Sequence, residues 1–185
     1  MPDYDVADRH QTSVAAPANM AFAAACEIDL QQSAIIRGIF TWREHLLGSD
    51  PATTTGPRGL VAWTMNMGWG VLAEVPNREI VIGAVTRPWD PNPVFHAVSP
   101  ERFAEFDEPD YVKIVWTLRA DPSGERTSII RHETRAVATD SIARRKFRRY
   151  WSFLSPGIIV IRRVALKLVK GEAERCASGG HPGRR

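Results

Sequence analysis

The chain has 185 residues, of which 44% are apolar and 24% are charged, and its formal net charge is +3. These values are ordinary for a single globular domain and exclude a disordered chain. No apolar run approaches the roughly 20 residues of a membrane-spanning helix. The two cysteines belong to no CxxC or Cys/His cluster, so we expect neither a metal nor a cofactor. The acidic start of the chain lacks the features of a signal peptide, and we therefore expect a cytoplasmic protein.

The first part of the chain predicts a strand, two helices and a loop. Residues 5–14 alternate polar with small or apolar residues, which predicts a strand, and Pro17 suits the start of a helix. A second helix is predicted from Gln31, with apolar residues at three- and four-residue spacings and Gly48 as its stop. Residues 49–59 are rich in Thr, Pro and Gly and predict a loop.

From Leu60 to Thr139 the spacing of apolar residues changes to two, which predicts a meander of about four to five antiparallel strands. Residues 99–106 predict a short helix inserted between strands. Alternation assigns to the inner face one set of residues from each of three strands: Trp63, Met65 and Met67; Ile80, Ile82, Ala84 and Thr86; and Val112, Ile114, Trp116 and Leu118.

The last element is predicted to be a long amphipathic helix that begins at Asp140 as its N-cap. Its apolar stripe consists of Phe147, Tyr150, Trp151, Leu154, Ile158, Ile161, Ala165 and Leu168. Pro156 removes one backbone hydrogen bond, so we expect a kink there rather than an end, because the stripe resumes in phase. We predict one domain over residues 1–174 and a disordered tail over residues 175–185.

Three segments carry a resemblance to a known fold: VAAPANMAFA, IIRGIFTWREHLLG and HETRAVATDSIARRKFRRYWSFLSPGIIVIRR. With the element order, they resemble the START-like superfamily, also called SRPBCC or Bet v 1-like, and in particular a bacterial SRPBCC subgroup. The resemblance covers most of residues 8–174. It implies an α+β helix-grip fold, in which a curved antiparallel sheet wraps around the C-terminal helix.

The resemblance further implies a deep cavity between sheet and helix that takes a lipid- or polyketide-like apolar molecule. Some members of the superfamily instead catalyse cyclisation or dehydration there, and others bind partners. The motifs indicate the fold and not the chemistry. The residues that we expect to line the cavity are Trp63, Met65, Ile82, Ile114, Trp116, His132, Thr134, Phe147, Tyr150, Trp151 and Leu154.

On the predicted strand 129–138, alternation puts His132 and Thr134 on the less charged face, which we expect to be the inner one. His132 then either orients a ligand, acts as a general acid or base, or is a core histidine hydrogen-bonded to a neighbour. Glu133 and Arg135 share the opposite face, where a surface ion-pair ladder is expected. If the faces were inverted, Glu133 would be a cavity carboxylate and a second catalytic candidate.

The segment 86–96 contains three prolines together with Arg87, Trp89 and His96 in a loop after a strand. Binding residues often gather in such loops, so these three side chains could form the mouth of the cavity. The alternative is a proline-stiffened connection in which Trp89 covers the edge of the sheet.

The charge is unevenly distributed along the chain. Residues 1–139 have a net charge of −6 and residues 140–185 a net charge of +9. The last helix contains a basic stripe that could contact an anionic membrane surface or a partner, or could simply be a solvated face. Its members are Arg144, Arg145, Lys146, Arg148, Arg149, Arg162, Arg163, Lys167 and Lys170. Nucleic-acid binding is not expected, because no nucleic-acid module accompanies the charge. No feature of the sequence indicates an oligomeric state.

Overall fold

The computed structural model describes residues 4–48 and 57–179, in which six strands form one sheet and five α-helices pack around it. The strands are β1 (Val6–Val14), β2 (Gly70–Val75), β3 (Glu79–Thr86), β4 (Phe95–His96), β5 (Val112–Gly124) and β6 (Thr127–Ala138). The helices are α1 (Ala18–Glu27), α2 (Ala34–Leu47), α3 (Leu60–Asn66), α4 (Pro100–Phe103) and α5 (Ser141–Ala177), with a short 3-10 helix at Leu30–Gln32. Most of the predicted loop 49–59 lies outside the described residues.

The sheet has the strand order β1-β6-β5-β3-β2, and the short β4 pairs with β3. Every pairing is antiparallel, and β1 is hydrogen-bonded to β6, so the first strand lies beside the last. α5 follows β6 directly and packs against β1, β5 and β6 as well as against α1 and α2. The predicted α+β helix-grip class is therefore confirmed.

Asp140 starts α5 as predicted, because its carboxylate accepts hydrogen bonds from the backbone N–H groups of Ile142 (2.6 Å) and Ala143 (2.8 Å). The helix is continuous across Pro156 and ends at Ala177. It thus extends beyond the predicted domain end at residue 174, and the part of the predicted tail after residue 179 lies outside the described residues. Within the described part of the chain, no helix combines the length and apolar character needed to cross a bilayer.

The prediction of a strand at the start of the meander is wrong, because residues 60–66 form α3. Gly59 has a φ of 99° and turns the chain into this helix. The local sequence LVAWTMNM fits a strand as well as a helix. Its apolar residues recur at spacings of two, as in a strand, and also at spacings of three and four, as in a helix. In α3 the Thr64 hydroxyl donates to the Leu60 carbonyl (2.7 Å), which satisfies this buried polar group within the helix.

The core consists of two clusters of buried side chains. One joins α1, parts of β1, β3, β5 and β6 and the C-terminal half of α5, and it includes Phe22, Ile82, Leu118, Ile130 and Val169. The other joins β5 and β6 to the N-terminal half of α5, and it includes Val112, Ala136, Ala138, Ala143 and Phe147. The helix α5 therefore contributes to both clusters.

Candidate functional site

A partly enclosed cavity of about 310 Å³ lies between α5 and the inner face of the sheet. Side chains from both core clusters border it, and its wall is overwhelmingly aromatic and aliphatic with few polar groups. This size and composition are typical of sites that bind small organic molecules. The wall is formed by residues of β5, β6 and α5, by one helical face of α3 (Leu60, Trp63, Thr64 and the following Met67), and by Leu30, Trp69, Pro88 and Phe95.

Most of the residues predicted to line the cavity do border it. Phe147 is 1% exposed, and its ring lies 6.4 Å from the ring of Tyr150 and 6.0 Å from the ring of Trp151, centroid to centroid. These three aromatic rings form the N-terminal part of the α5 side of the wall. The predicted residues that border the cavity are Trp63, Ile114, Trp116, His132, Thr134, Phe147, Tyr150 and Trp151.

Three of the predicted lining residues do not border this cavity. Met65 was placed on an inner strand face, but in α3 it points outward and is 37% exposed. Ile82 is completely buried in the larger core cluster, so it supports the wall from behind. Leu154 is buried and borders a different surface pocket, together with Trp89, Phe153 and other residues of α5.

The three predicted mouth residues, Arg87, Trp89 and His96, do not border the cavity, although Trp89 packs against the core cluster that contains Phe147. The Arg87 guanidinium pairs with Asp90 (3.3 Å) and stacks over the ring of Tyr111, and the His96 ring lies edge-on to the same ring. The Trp89 ring faces the Lys146 ammonium at 5.4 Å.

Other residues of the same loop and its surroundings do reach the cavity. Pro88 and Phe95 border it, and the ring of Phe95 stacks on Trp69 with 5.1 Å between centroids. Gly68 permits this arrangement, because a Cβ atom there would lie 2.2 Å from the Phe95 carbonyl oxygen.

Glu133 faces away from the cavity, as the alternation in β6 predicted. Its carboxylate accepts hydrogen bonds from Arg9 (2.8 Å) and Arg135 (2.6 Å). Partial burial raises the pKa of Glu133, but these hydrogen bonds and charges outweigh burial and hold the pKa below its usual value. The predicted ion-pair ladder therefore consists of one contact to Arg9 on the neighbouring strand β1 and one to Arg135 on β6 itself. The inverted assignment, in which Glu133 would be a cavity carboxylate, is excluded.

His132 faces inward, and its neutral form is strongly favoured. Burial, reinforced by the charge of His10, lowers the pKa of His132 to about 3, against a smaller opposing effect of Glu133. The indole N–H of Trp116 donates to Nε2 of His132. Because an indole nitrogen only donates, Nε2 is the acceptor, and the proton of the neutral ring is on Nδ1. A neutral ring with this pKa is poorly suited to acid–base catalysis near neutrality.

Arg162 is a cavity residue that the sequence reasoning missed, since it was assigned to the basic outer stripe. Its side chain is only 14% exposed and forms an ion pair with Asp8 of β1. It also donates to the Thr134 hydroxyl from Nη2 (3.0 Å). Burial lowers the pKa of Arg162 to about 10, so the guanidinium remains charged at neutral pH. His10 completes the group, with Nε2 2.9 Å from the Asp8 carboxylate.

A sequence signal for Arg162 did exist. Arg162 lies four residues after Ile158 and four residues before Leu166, so the three residues share one side of the helix. Arg163 falls on the exposed side. Likewise Asp8 alternates in phase with Val6 and Val14 along β1.

The chain has a helix-grip fold. Among solved structures it is similar to the Zhui aromatase/cyclase from Streptomyces sp. R1128, with 14% identity, 95% of this chain and 99% of that chain covered, and a TM-score of 0.34. It is also similar to CalU16 from Micromonospora echinospora, with 10% identity, 94% of this chain and 87% of that chain covered, and a TM-score of 0.31. No protein-family model and no curated protein matches the sequence. At this level of similarity no residue role, ligand or reaction is carried over to this chain.

Proposed function

We propose that the protein is a START-like binding protein that holds one small apolar or amphipathic molecule in the cavity under α5. The observation that supports this function is the cavity itself, with a volume of about 310 Å³ and aromatic walls on both the sheet and the helix. Pockets of roughly 300–1,000 Å³ with such walls are the usual size for small organic ligands. A lipid- or polyketide-like molecule has the apolar surface to match them.

The test combines extraction with cavity filling. Purified protein is extracted and the extract examined by mass spectrometry, and the tryptophan fluorescence of the protein is titrated with naphthalene derivatives and medium-chain lipids. Trp63, Trp116 and Trp151 border the cavity, so occupancy should change the emission. Ala165→Phe, on the α5 wall, should abolish this change by filling the space, whereas the matched control Val160→Phe, at a position 42% exposed on α5, should not. A response that survives in Ala165→Phe would contradict binding in this cavity.

A cyclase- or dehydratase-like enzyme that uses the same cavity is the alternative. In this hypothesis His132 supplies the acid–base chemistry, and its low pKa of about 3 argues against that role near neutrality. Time-resolved mass spectrometry of a bound poly-β-carbonyl compound distinguishes the two functions. An enzyme would release water from the compound in a reaction that slows in His132→Ala, whereas a binding protein would leave the compound unchanged.

A contact with anionic membranes is a second candidate function, supported by the outer face of α5. Ile142, Phe153 and Val160 are 54%, 57% and 42% exposed. Because they are spaced by 11 and 7 residues, or about three and two helical turns, they lie on one side of the helix. Arg145, Arg148 and Arg149 are exposed and form no ion pair with any described residue. Arg144, by contrast, is paired with Asp5 (2.7 Å).

Vesicle flotation tests this second function. The protein should float with vesicles of phosphatidylcholine and phosphatidylserine at low salt, less at high salt, and little with pure phosphatidylcholine. Exchanging Arg145, Arg148 and Arg149 for Gln should reduce flotation strongly, and exchanging the paired Arg144 should reduce it less. Equal flotation with both kinds of vesicle would rule out the electrostatic contact.

A further inference from the structure

Among the described residues, the charged and imidazole groups at the cavity are gathered in one place, together with one hydroxyl. We call this group the polar corner: Asp8 and His10 of β1, His132 and Thr134 of β6, and Arg162 of α5. In the sheet register Asp8 is opposite Thr134, and His10 is opposite His132. Arg162 reaches these strands from the helix and bonds to both of them. His132, Thr134 and Arg162 border the cavity directly.

Two groups of the polar corner have donor capacity that no described residue uses. A guanidinium has five N–H donors, and the partners of Arg162 among the described residues are the Asp8 carboxylate and the Thr134 hydroxyl. Nδ1 of His132 is buried without a hydrogen-bond partner, while Nε2 accepts from Trp116. A buried donor without a partner is costly, so an acceptor from a ligand would be favourable here.

The balance of charge at the polar corner decides which kind of acceptor fits. The positive charge of Arg162 is compensated by Asp8, with which it forms an ion pair. His132 is uncharged near neutrality. A carboxylate ligand would add a negative charge beside Asp8 without a free positive charge to compensate it, which is unfavourable in a buried site. A neutral oxygen acceptor meets the spare donors without that cost.

We infer that the polar corner binds a neutral carbonyl oxygen of the ligand, so that the molecule in the cavity is an apolar ketone, ester or amide rather than a free acid or a hydrocarbon. The inference rests on the proposed binding function and adds the chemical class of the ligand. Arg162 and His132 contact the oxygen, whereas Asp8 and Thr134 position Arg162. The aromatic rings on α5 surround the rest of the molecule.

Isothermal titration calorimetry with three naphthalenes of similar shape tests this inference. The probes are a ketone, a carboxylate and a hydrocarbon: 2-acetylnaphthalene, 2-naphthoate and 2-ethylnaphthalene. The measured quantity is the ratio of affinities for two probes, compared between variants, because the partitioning of each probe from water then cancels. In Asp8→Asn/Arg162→Gln, which removes both charges together, the preference for the ketone over the hydrocarbon should fall about 10-fold relative to wild type. Glu172→Gln/Arg175→Gln, which removes both charges of an ion pair outside the polar corner, is the matched control and should change neither preference.

Asp8→Asn alone should change a different preference, that for naphthoate over the ketone. It leaves the Arg162 charge uncompensated, so the affinity for naphthoate relative to the ketone should rise about 10-fold. An ion pair that serves only folding would leave both of these probe preferences unchanged. If the double variant fails to fold, His132→Phe replaces it, because it removes the Nδ1 donor and should lower the ketone preference as well.

The outcomes separate this inference from the proposed function. Binding of all three probes with the same preferences in wild type and in every variant would overturn the inference and leave the cavity as a general apolar site. A wild-type preference for naphthoate over the ketone would overturn it too. Absence of binding by any probe, together with an unchanged tryptophan emission in the lipid titration, would overturn the proposed function and the inference with it.

Discussion

On the outer face of the β1–β6 pair, Glu133 accepts hydrogen bonds from Arg9 and Arg135, and on the inner face Asp8 is paired with Arg162. The chemistry of the two ion pairs is the same, but their surroundings differ. The Arg9 and Glu133 side chains are 60% and 26% exposed, whereas the Arg162 and Asp8 side chains are 14% and 16% exposed. Water screens the outer pair, so it contributes little to stability. The inner pair is held out of water, and neither partner can be lost without leaving a buried charge.

The same contrast holds along α5, where one side of the helix builds the cavity wall and the other meets solvent. Phe147 and Phe153 differ by only six positions, yet they are 1% and 57% exposed. Arg162 and Arg163 are adjacent, and only the first enters the cavity. The orientation of a residue on the helix, not its type, therefore decides its role. Four predictions test this contrast.

The largest effect is expected for the aromatic residue on the inner side of α5. Phe147→Ala should lower the free energy of unfolding by about 3–5 kcal/mol, because it removes a buried ring and leaves a cavity. Phe153→Ala, the same change on the outer side, should alter stability by no more than about 0.5 kcal/mol. Urea unfolding of the two variants checks this. Similar losses would mean that α5 is rotated from the described orientation.

The inner ion pair should show the next largest effect. Arg162→Met leaves Asp8 buried without a counter-charge and should cost about 3 kcal/mol of unfolding free energy. Asp8→Asn/Arg162→Met should recover most of that loss, whereas Arg163→Met should be nearly neutral. The comparison uses thermal and urea unfolding of all three variants. A double variant as unstable as Arg162→Met would show that packing by the Arg162 side chain, rather than its charge, is what matters.

A smaller effect is expected from the titration of His132. Its pKa is about 3 in the folded protein and near 6.5 in the unfolded chain, so between these values the unfolded state binds more protons. The stability that the neutral ring contributes is fully present above about pH 6.5. It falls as the pH is lowered, by at most about 1.4 kcal/mol per pH unit for this group.

Urea unfolding at about pH 7 and about pH 5 measures that slope. His132→Gln keeps an acceptor for Trp116 but does not titrate, so the loss of stability at the lower pH should be smaller in this variant. His10, whose pKa burial also lowers, should leave a residual slope. His96→Gln changes an exposed imidazole and serves as the control. An identical slope in wild type and His132→Gln would contradict a buried neutral ring.

The smallest effect is expected on the outer face. Glu133→Gln weakens a solvent-exposed ladder and should cost less than about 1 kcal/mol, with the difference from wild type decreasing at high salt. Unfolding at low and high salt measures this. A large, salt-independent loss would place Glu133 in a buried environment and would undo the contrast between the two faces.

Much of the fold was predictable because it follows from short-range patterns. Alternation in β6 put His132 and Thr134 inside and Glu133 outside, and the Asp140 N-cap placed the start of α5. The segment 60–67 was mispredicted because its apolar residues satisfy two periods. Only packing against the cavity, where Trp63 and its helical neighbours form part of the wall, distinguishes the helix from a strand.

The candidate site was less predictable, because it depends on which distant elements meet. In the loop 86–96, Pro88 and Phe95 border the cavity, while the more chemically suggestive Arg87, Trp89 and His96 have other partners. Charged and aromatic side chains of a loop can bond to many surface partners. Residue type alone therefore does not show where each one points.

Apart from α3, the sequence by itself determined the order of the main elements, the faces of β6 and the amphipathic nature of α5, since these depend on the period of two in strands and 3.6 in helices. The tertiary structure alone decided that Arg162 meets Asp8 and Thr134 and that an unpaired His132 donor lies beside them. The physical reason is that a buried charge requires a partner. That partner here comes from the opposite end of the chain, where no local pattern links the two residues.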